Sequence, residues 1–173
     1  LIVVGTLPIA MLVALFVGMV LSVQTGTELA LYGTQEAIGA IVGVSMVKEL
    51  GPVMTSLLVA GRIGSAMAAE IGAMQVYEEI DALKTLEISP VRYLAMPRLI
   101  ACLFTVPALV AFAMVVGICG GGIVAEVNPQ INVPFSVYYD NMIRALSYQE
   151  IFKGLLKAMV FGGIIAHVGC YIG

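Results

Sequence analysis

From Leu1 to Thr27 the chain carries no charged residue. A helix needs roughly 20 apolar residues to cross the ~30 Å hydrocarbon core of a bilayer, so this run is long enough to span. Three more apolar stretches follow, at about residues 37–74, 91–126 and 149–173. Barrel strands would alternate polar and apolar residues over about 10 positions, and no such alternation is present. The expected fold is therefore all-α: a polytopic membrane protein with four spans in this chain, read as one transmembrane domain over 1–173. Composition agrees. Only 11% of residues are charged and 61% are hydrophobic, too few polar groups to cover a soluble surface, which averages about 25% charged residues.

The second apolar stretch, roughly Ala37 to Met74, is nearly twice the length a bilayer needs. It must tilt, break or protrude, and Gly51-Pro52 is the expected break. Pro52 has no N–H, so the carbonyl of Lys48 is expected to lack its helical partner. Irregular backbone survives in a membrane only where protein buries it or it lines a wet cavity. Lys48 and Glu49, beside that break, are either an interfacial anchor or polar groups lining a lipid path.

Arg62 falls near mid-membrane, where a charge costs at least about 2.5–3.5 kcal/mol. It serves either as a structural ion pair or carbonyl clamp, or as a headgroup or conformational contact. Glu70 is eight residues on, about 12 Å along the axis, and is not its direct partner. Around them small residues recur at four-residue spacing: Ala60/Gly64/Ala68/Gly72 and Gly61/Ser65/Ala69. Such rows let backbones approach closely in lipid, within one subunit or between two.

Residues 75–88 form a polar connection. Within it Tyr77 to Glu87 reads YEEIDALKTLE, with Val76, Ile80 and Leu83 on one face. Glu78, Glu79 and Asp81 fall in the first turn, where the helix dipole favours acids. Lys84 is spaced to pair with Asp81, and Glu87 closes the segment. An acidic helix is repelled by an anionic leaflet, so a protein partner suits it better than the membrane surface. Lys84, Arg92 and Arg98 place this connection in the cytoplasm by the distribution of basic residues. Arg144, Lys153 and Lys157, on the other side, dissent.

Several chemistries find no support. There is no GxxxxGK[ST] phosphate loop. Cys102, Cys119 and Cys170 stand singly in apolar runs, without metal-ligand spacing. His167 is the single histidine, with no acidic or cysteine neighbour. The chain is expected to be a non-catalytic membrane subunit with no cofactor or metal of its own. Because it begins at Leu1 rather than Met, it is expected to be part of a longer protein.

KELGPVMTSLLVAGRIGSAMAAEIGAM, followed by EEIDALKTLEISPVRYLAMPR, resembles the MlaE-like permease family of MCE-associated ABC transporters. The likeness runs over nearly the whole chain. It implies a phospholipid-transporting permease of the bacterial inner membrane, concerned with inter-membrane lipid trafficking and outer-membrane lipid homeostasis. The implied partners are a second copy of the chain, a cytoplasmic ATPase that binds ATP and Mg, a periplasmic ring of MCE-domain proteins and a STAS-domain protein. Nucleic acid has no place among them. The family pattern also has an elbow helix before the first span and a fifth span after the fourth, neither of which is in this sequence. By the same resemblance the 77–87 segment corresponds to the coupling helix. Leu12, Leu15, Phe16, Met19 and Val23 recur at helical spacing on the first span. They are candidates for the wall of a lipid cavity between two copies, or else plain lipid-facing surface. The competing expectation is an ion-coupled secondary transporter using Arg62 and Glu70, which would normally show paired repeats.

Overall fold

A computed structural model describes residues 2–87 and 89–172. In chain order the helices are α1 (Ile2–Tyr32), α2 (Gln35–Val76), a short α3 (Glu79–Thr85), α4 (Val91–Val127), α5 (Phe135–Ala145) and α6 (Tyr148–Ile172). No strand occurs among the described residues. Four of these helices, α1, α2, α4 and α6, are long and apolar enough to cross a membrane.

The first helix is 31 residues long, about 46 Å, so it outruns the bilayer core. It continues past Glu28 and ends at Gly33. That glycine has φ +69, and the Thr34 N–H donates to the Leu29 carbonyl at 3.1 Å. This is a Schellman closure, which satisfies end carbonyls through a left-handed residue.

The expected break at Pro52 does not occur. α2 runs 42 residues without interruption, because Met46–Leu50 widens into a π turn in which the Gly51 N–H reaches the Met46 carbonyl. A second π turn covers Ala60–Gly64. A third opens α4 at Val91–Ala95, where the Met96 N–H reaches the Val91 carbonyl and Pro97 follows. Widened turns of this kind are rare and cluster at functional sites.

Glycine decides how the rods meet. In lipid no hydrophobic force drives helices together, so close backbone approach matters more. A Cβ at Gly18 would collide with the Gly117 carbonyl, which sets the α1–α4 crossing. Ser22 Oγ donates to the Gly121 carbonyl at 2.8 Å beside it. Gly162 on α6 lies against the Cys102 carbonyl of α4. One core cluster, including Val47, Val59, Ile63, Val106, Val110 and Ala158, joins α2, α4 and α6. A second, including Ile38, Val42, Ala125 and Tyr138, joins α2, α4 and α5.

α5 lies in the connection between α4 and α6. It is amphipathic, burying Tyr138 and Met142 one turn apart. Its seat is made of glycine: a Cβ at Gly39 would strike the Tyr138 carbonyl, and one at Gly122 would meet the Phe135 ring at 2.6 Å. The Tyr138 hydroxyl donates to the Ile118 carbonyl at 3.3 Å. Burial, and then the nearby Cys119, hold its phenol above the ordinary tyrosine range, so it remains a neutral donor.

Candidate functional site

Two polar regions interrupt the apolar bundle, one at the first π turn and one around α3. At the first, Pro52 offers no N–H to the carbonyls of Val47 and Lys48. The widened turn presents both to α6. Gly154 leaves room there, since a Cβ at that position would lie 2.5 Å from the Val47 carbonyl oxygen. The Lys48 carbonyl, expected to lack its helical partner, finds a side-chain donor on α6 instead. Lys157 Nζ donates to it at 3.0 Å and to Glu49 Oε1 at 2.8 Å. An ammonium with three donors replaces the single amide donor that proline removes.

Lys48 turns the same way. Its Nζ lies 3.2 Å from Glu150 Oε2, and Lys153 Nζ lies 3.7 Å from Glu150 Oε1. The result is a cluster of three lysines and two glutamates between α2 and the first turns of α6. Neither Lys48 nor Glu49 is fully buried, with side chains 44% and 65% exposed. The cluster is therefore open on one side of the bundle. Glu150, Lys153 and Lys157 were not legible as partners, because nothing local ties them to residues a hundred positions away.

The first-span candidates are not brought to that cluster. Leu12, Phe16 and Val23 face outward, while Leu15 and Met19 are half-buried. Leu15 packs against Gly120 of α4. Beside Phe16 a shallow apolar groove of about 320 Å³ runs past Val20 and Gln24 and meets α2 at Leu50. Lys48 and Glu49 turn instead to α6.

The two small-residue rows separate. Ala60, Gly64 and Ala68, with Ser65 of the other row, line an apolar groove of about 390 Å³ against Ile165, Val168 and Gly169 of α6. Gly61, Ser65 and Ala69 are exposed, and a Cβ at Gly61 would meet nothing within 4 Å. Arg62 is exposed within the second π turn, its guanidinium directed toward Gly5 of α1. Glu70 pairs with Arg98, whose Nη2 lies 2.9 Å away.

At that same end α3 stands off the bundle between two left-handed residues, Glu78 and Glu87, each with φ 58. Such a conformation costs a non-glycine residue roughly 1–2 kcal/mol. Helix proper runs Glu79–Thr85, inside the 77–87 segment marked out in the sequence. Glu79, Asp81, Lys84 and Glu87 are exposed and Leu83 is half-buried. Lys84 Nζ bonds Asp81 Oδ1 at 2.8 Å. Ile80, Leu83 and Leu86 line a groove of about 320 Å³ with Met74 of α2 and with Tyr93 and Leu94 of α4. The apolar side of α3 faces the bundle across this groove, and among the described residues its acids pair with no residue outside α3.

Comparison with known proteins gives one direction. The chain is 39% identical over 165 residues to a protein of Synechocystis sp. named as a probable ABC transporter permease, covering 95% of this chain and 62% of that protein. A probable ABC transporter permease of Rickettsia typhi is 39% identical over 168 residues, 97% of this chain and 64% of that protein. The chloroplastic protein trigalactosyldiacylglycerol 1 of Arabidopsis thaliana is 36% identical over 165 residues, 95% of this chain and 47% of that protein. This chain thus spans just under two thirds of the length of the bacterial relatives. Residues 1–173 match the family described as Permease MlaE. The chain belongs to the MlaE permease family.

Proposed function

We propose that the chain is the membrane part of a permease subunit of an ABC transporter that moves phospholipid between the bacterial inner membrane and a periplasmic MCE-domain partner. The observation that carries this reading is α3. It is an acidic helix projected between two long spans, its apolar side turned to a groove, with its charges unengaged by the rest of the bundle. That is the form of a handle for a soluble motor. A separate cytoplasmic ATPase supplies ATP hydrolysis with its own bound ATP and Mg, and the chain itself does no chemistry. A STAS-domain protein completes the cytoplasmic side. The distribution of basic residues also favours this orientation. Lys153 and Lys157, which dissented, are engaged by Glu150 and Glu49, so they weigh less as topology signals.

Lipid as cargo is supported by the name of the Arabidopsis relative, which is that of a glycerolipid, and by the pairing of polar and apolar features along the bundle. Opposite charges at Lys48 and Glu49, with Lys157 and Glu150 beside them, complement the phosphate and amine of a zwitterionic headgroup. Two copies meeting around the outward face of α1 enclose the tails between Leu12, Phe16 and Val23, with Leu15 and Met19 behind. The open Gly61/Ser65/Ala69 row supports a homodimer, since small residues allow close approach. An ion-coupled carrier built on Arg62 and Glu70 has less in its favour, because Glu70 is held by Arg98.

The test is charge reversal on α3. E79K with D81K should abolish co-purification of the ATPase and ATP-driven lipid transfer in proteoliposomes while leaving membrane insertion intact. Full coupling in that variant would refute the docking assignment. At the other end, K48Q and E49Q should each lower transfer with the complex still assembled. Unchanged transfer in both would leave the pair as a structural anchor.

A further inference from the structure

The described residues contain one ion pair between α2 and α4, that of Glu70 with Arg98 at 2.9 Å. Its position is informative. Glu70 lies in the last turns of α2, and Arg98 follows Pro97 directly after the π turn that opens α4. The pair therefore closes a loop of chain that contains α3 and both left-handed glutamates. Inside that loop α3 faces both neighbours across one apolar groove, lined by Met74 of α2 and by Tyr93 and Leu94 of α4.

Arg98 is held tightly for a charged group. Its side chain is 18% exposed, against 52% for Glu70, and its Nη1 is buried with no hydrogen-bond partner among the described residues. A part-buried guanidinium with one arm unsatisfied depends strongly on the carboxylate that engages the other.

We propose that Glu70 and Arg98 are positioning residues, a strut that makes α2 and α4 move together when α3 is displaced. This rests on α3 being the ATPase-docking helix. Without the strut, two soft places would absorb the displacement: the turn at Leu86–Glu87 and the π turn at Val91–Ala95. With it, a shift at α3 is delivered to both long helices as a rigid pair, and so to the π turn at Met46–Leu50 further along α2.

The experiment uses the complete transporter in proteoliposomes, reading transfer of a fluorescent phospholipid and ATP hydrolysis from the same vesicles. E70Q should lower lipid moved per ATP about tenfold, the effect of losing one charged hydrogen bond. The swap E70R with R98E should restore most of it, which a merely space-filling role would not. An unchanged ratio in E70Q overturns the strut, as does a swap no better than the single variants at equal amounts in the membrane. The α3 variant E79K with D81K separates the two ideas. If it retains the ATPase, the docking reading falls and the strut with it. If it loses the ATPase while E70Q keeps its ratio, the strut alone falls.

Discussion

MVKELGP at residues 46–52 and VRYLAMP at residues 91–97 pass through the same local geometry. Each is a five-residue π turn, one further residue, and then proline. Their surroundings differ. The first is buried against α6, its carbonyls met by Gly154 and Lys157 and its charges by Glu150 and Lys157. In the second, Val91, Arg92 and Tyr93 are all exposed. At both places a proline two residues after the turn goes with the widening, although the turn at Ala60–Gly64 forms without one; a neighbouring helix accounts for whether the turn is locked. A locked turn suits a fixed binding surface within a long helix, and an open one suits a joint beside α3.

The comparison breaks most directly at Gly154. G154A would put a methyl 2.5 Å from the Val47 carbonyl oxygen and should destabilise the protein by about 1–3 kcal/mol, read as a lower thermal midpoint in detergent. G72A is the control, since a Cβ there meets nothing within 4 Å. It should be neutral or stabilising by up to about 1 kcal/mol. Equal effects would mean that α6 does not lock the first turn.

Next in size is the ammonium. K157M removes both the cap on the Lys48 carbonyl and the ion pair to Glu49. The cost should be about 1–2 kcal/mol, less than for a dry site because the lysine is 43% exposed and solvent screens the charge. R92M at the open turn should cost no more than about 0.5 kcal/mol. Chemical denaturation of both variants side by side decides the matter.

The prolines sharpen the contrast. Restoring an N–H with P97A should let residues 91–95 relax to an α turn, whereas P52A should leave the π turn at 46–50 in place. Either change is worth about 1 kcal/mol or less. Carbonyl chemical shifts from labelled protein in bilayers would distinguish them, and a relaxed turn in P52A would show that α6 does not hold it. The smallest effect belongs to α3. E87G relieves a left-handed residue but adds chain entropy in the unfolded state, for a net gain of roughly 0.5 kcal/mol. A loss of stability there would mean that the Glu87 side chain has a partner.

Much of this protein is a property of residues taken one at a time or in short runs. The apolar spans, the acids and the Asp81–Lys84 pair of α3, and the missing donor at Pro52 can all be read in order along the chain. They depend on transfer energies, on spacing within a turn and on covalent structure. The small-residue rows are equally legible as places where helices could approach. Which row does so is not, and in the structure Ala60, Gly64 and Ala68 face α6, with Ser65 the one member of the other row at that groove.

What the tertiary structure decided is everything that depends on how helices cross. α5 is too short to be stable alone in water, and it forms on a seat built from Gly39 and Gly122, residues far apart in sequence. The donor that meets the Lys48 carbonyl beside Pro52 comes from Lys157, more than a hundred residues away. Glu70 and Arg98 meet only because α3 folds the chain back between them. A residue carries its own charge, volume and hydrogen-bonding capacity, but a partner is fixed by crossing angle and by the glycines that permit it. That information appears only when the helices are packed.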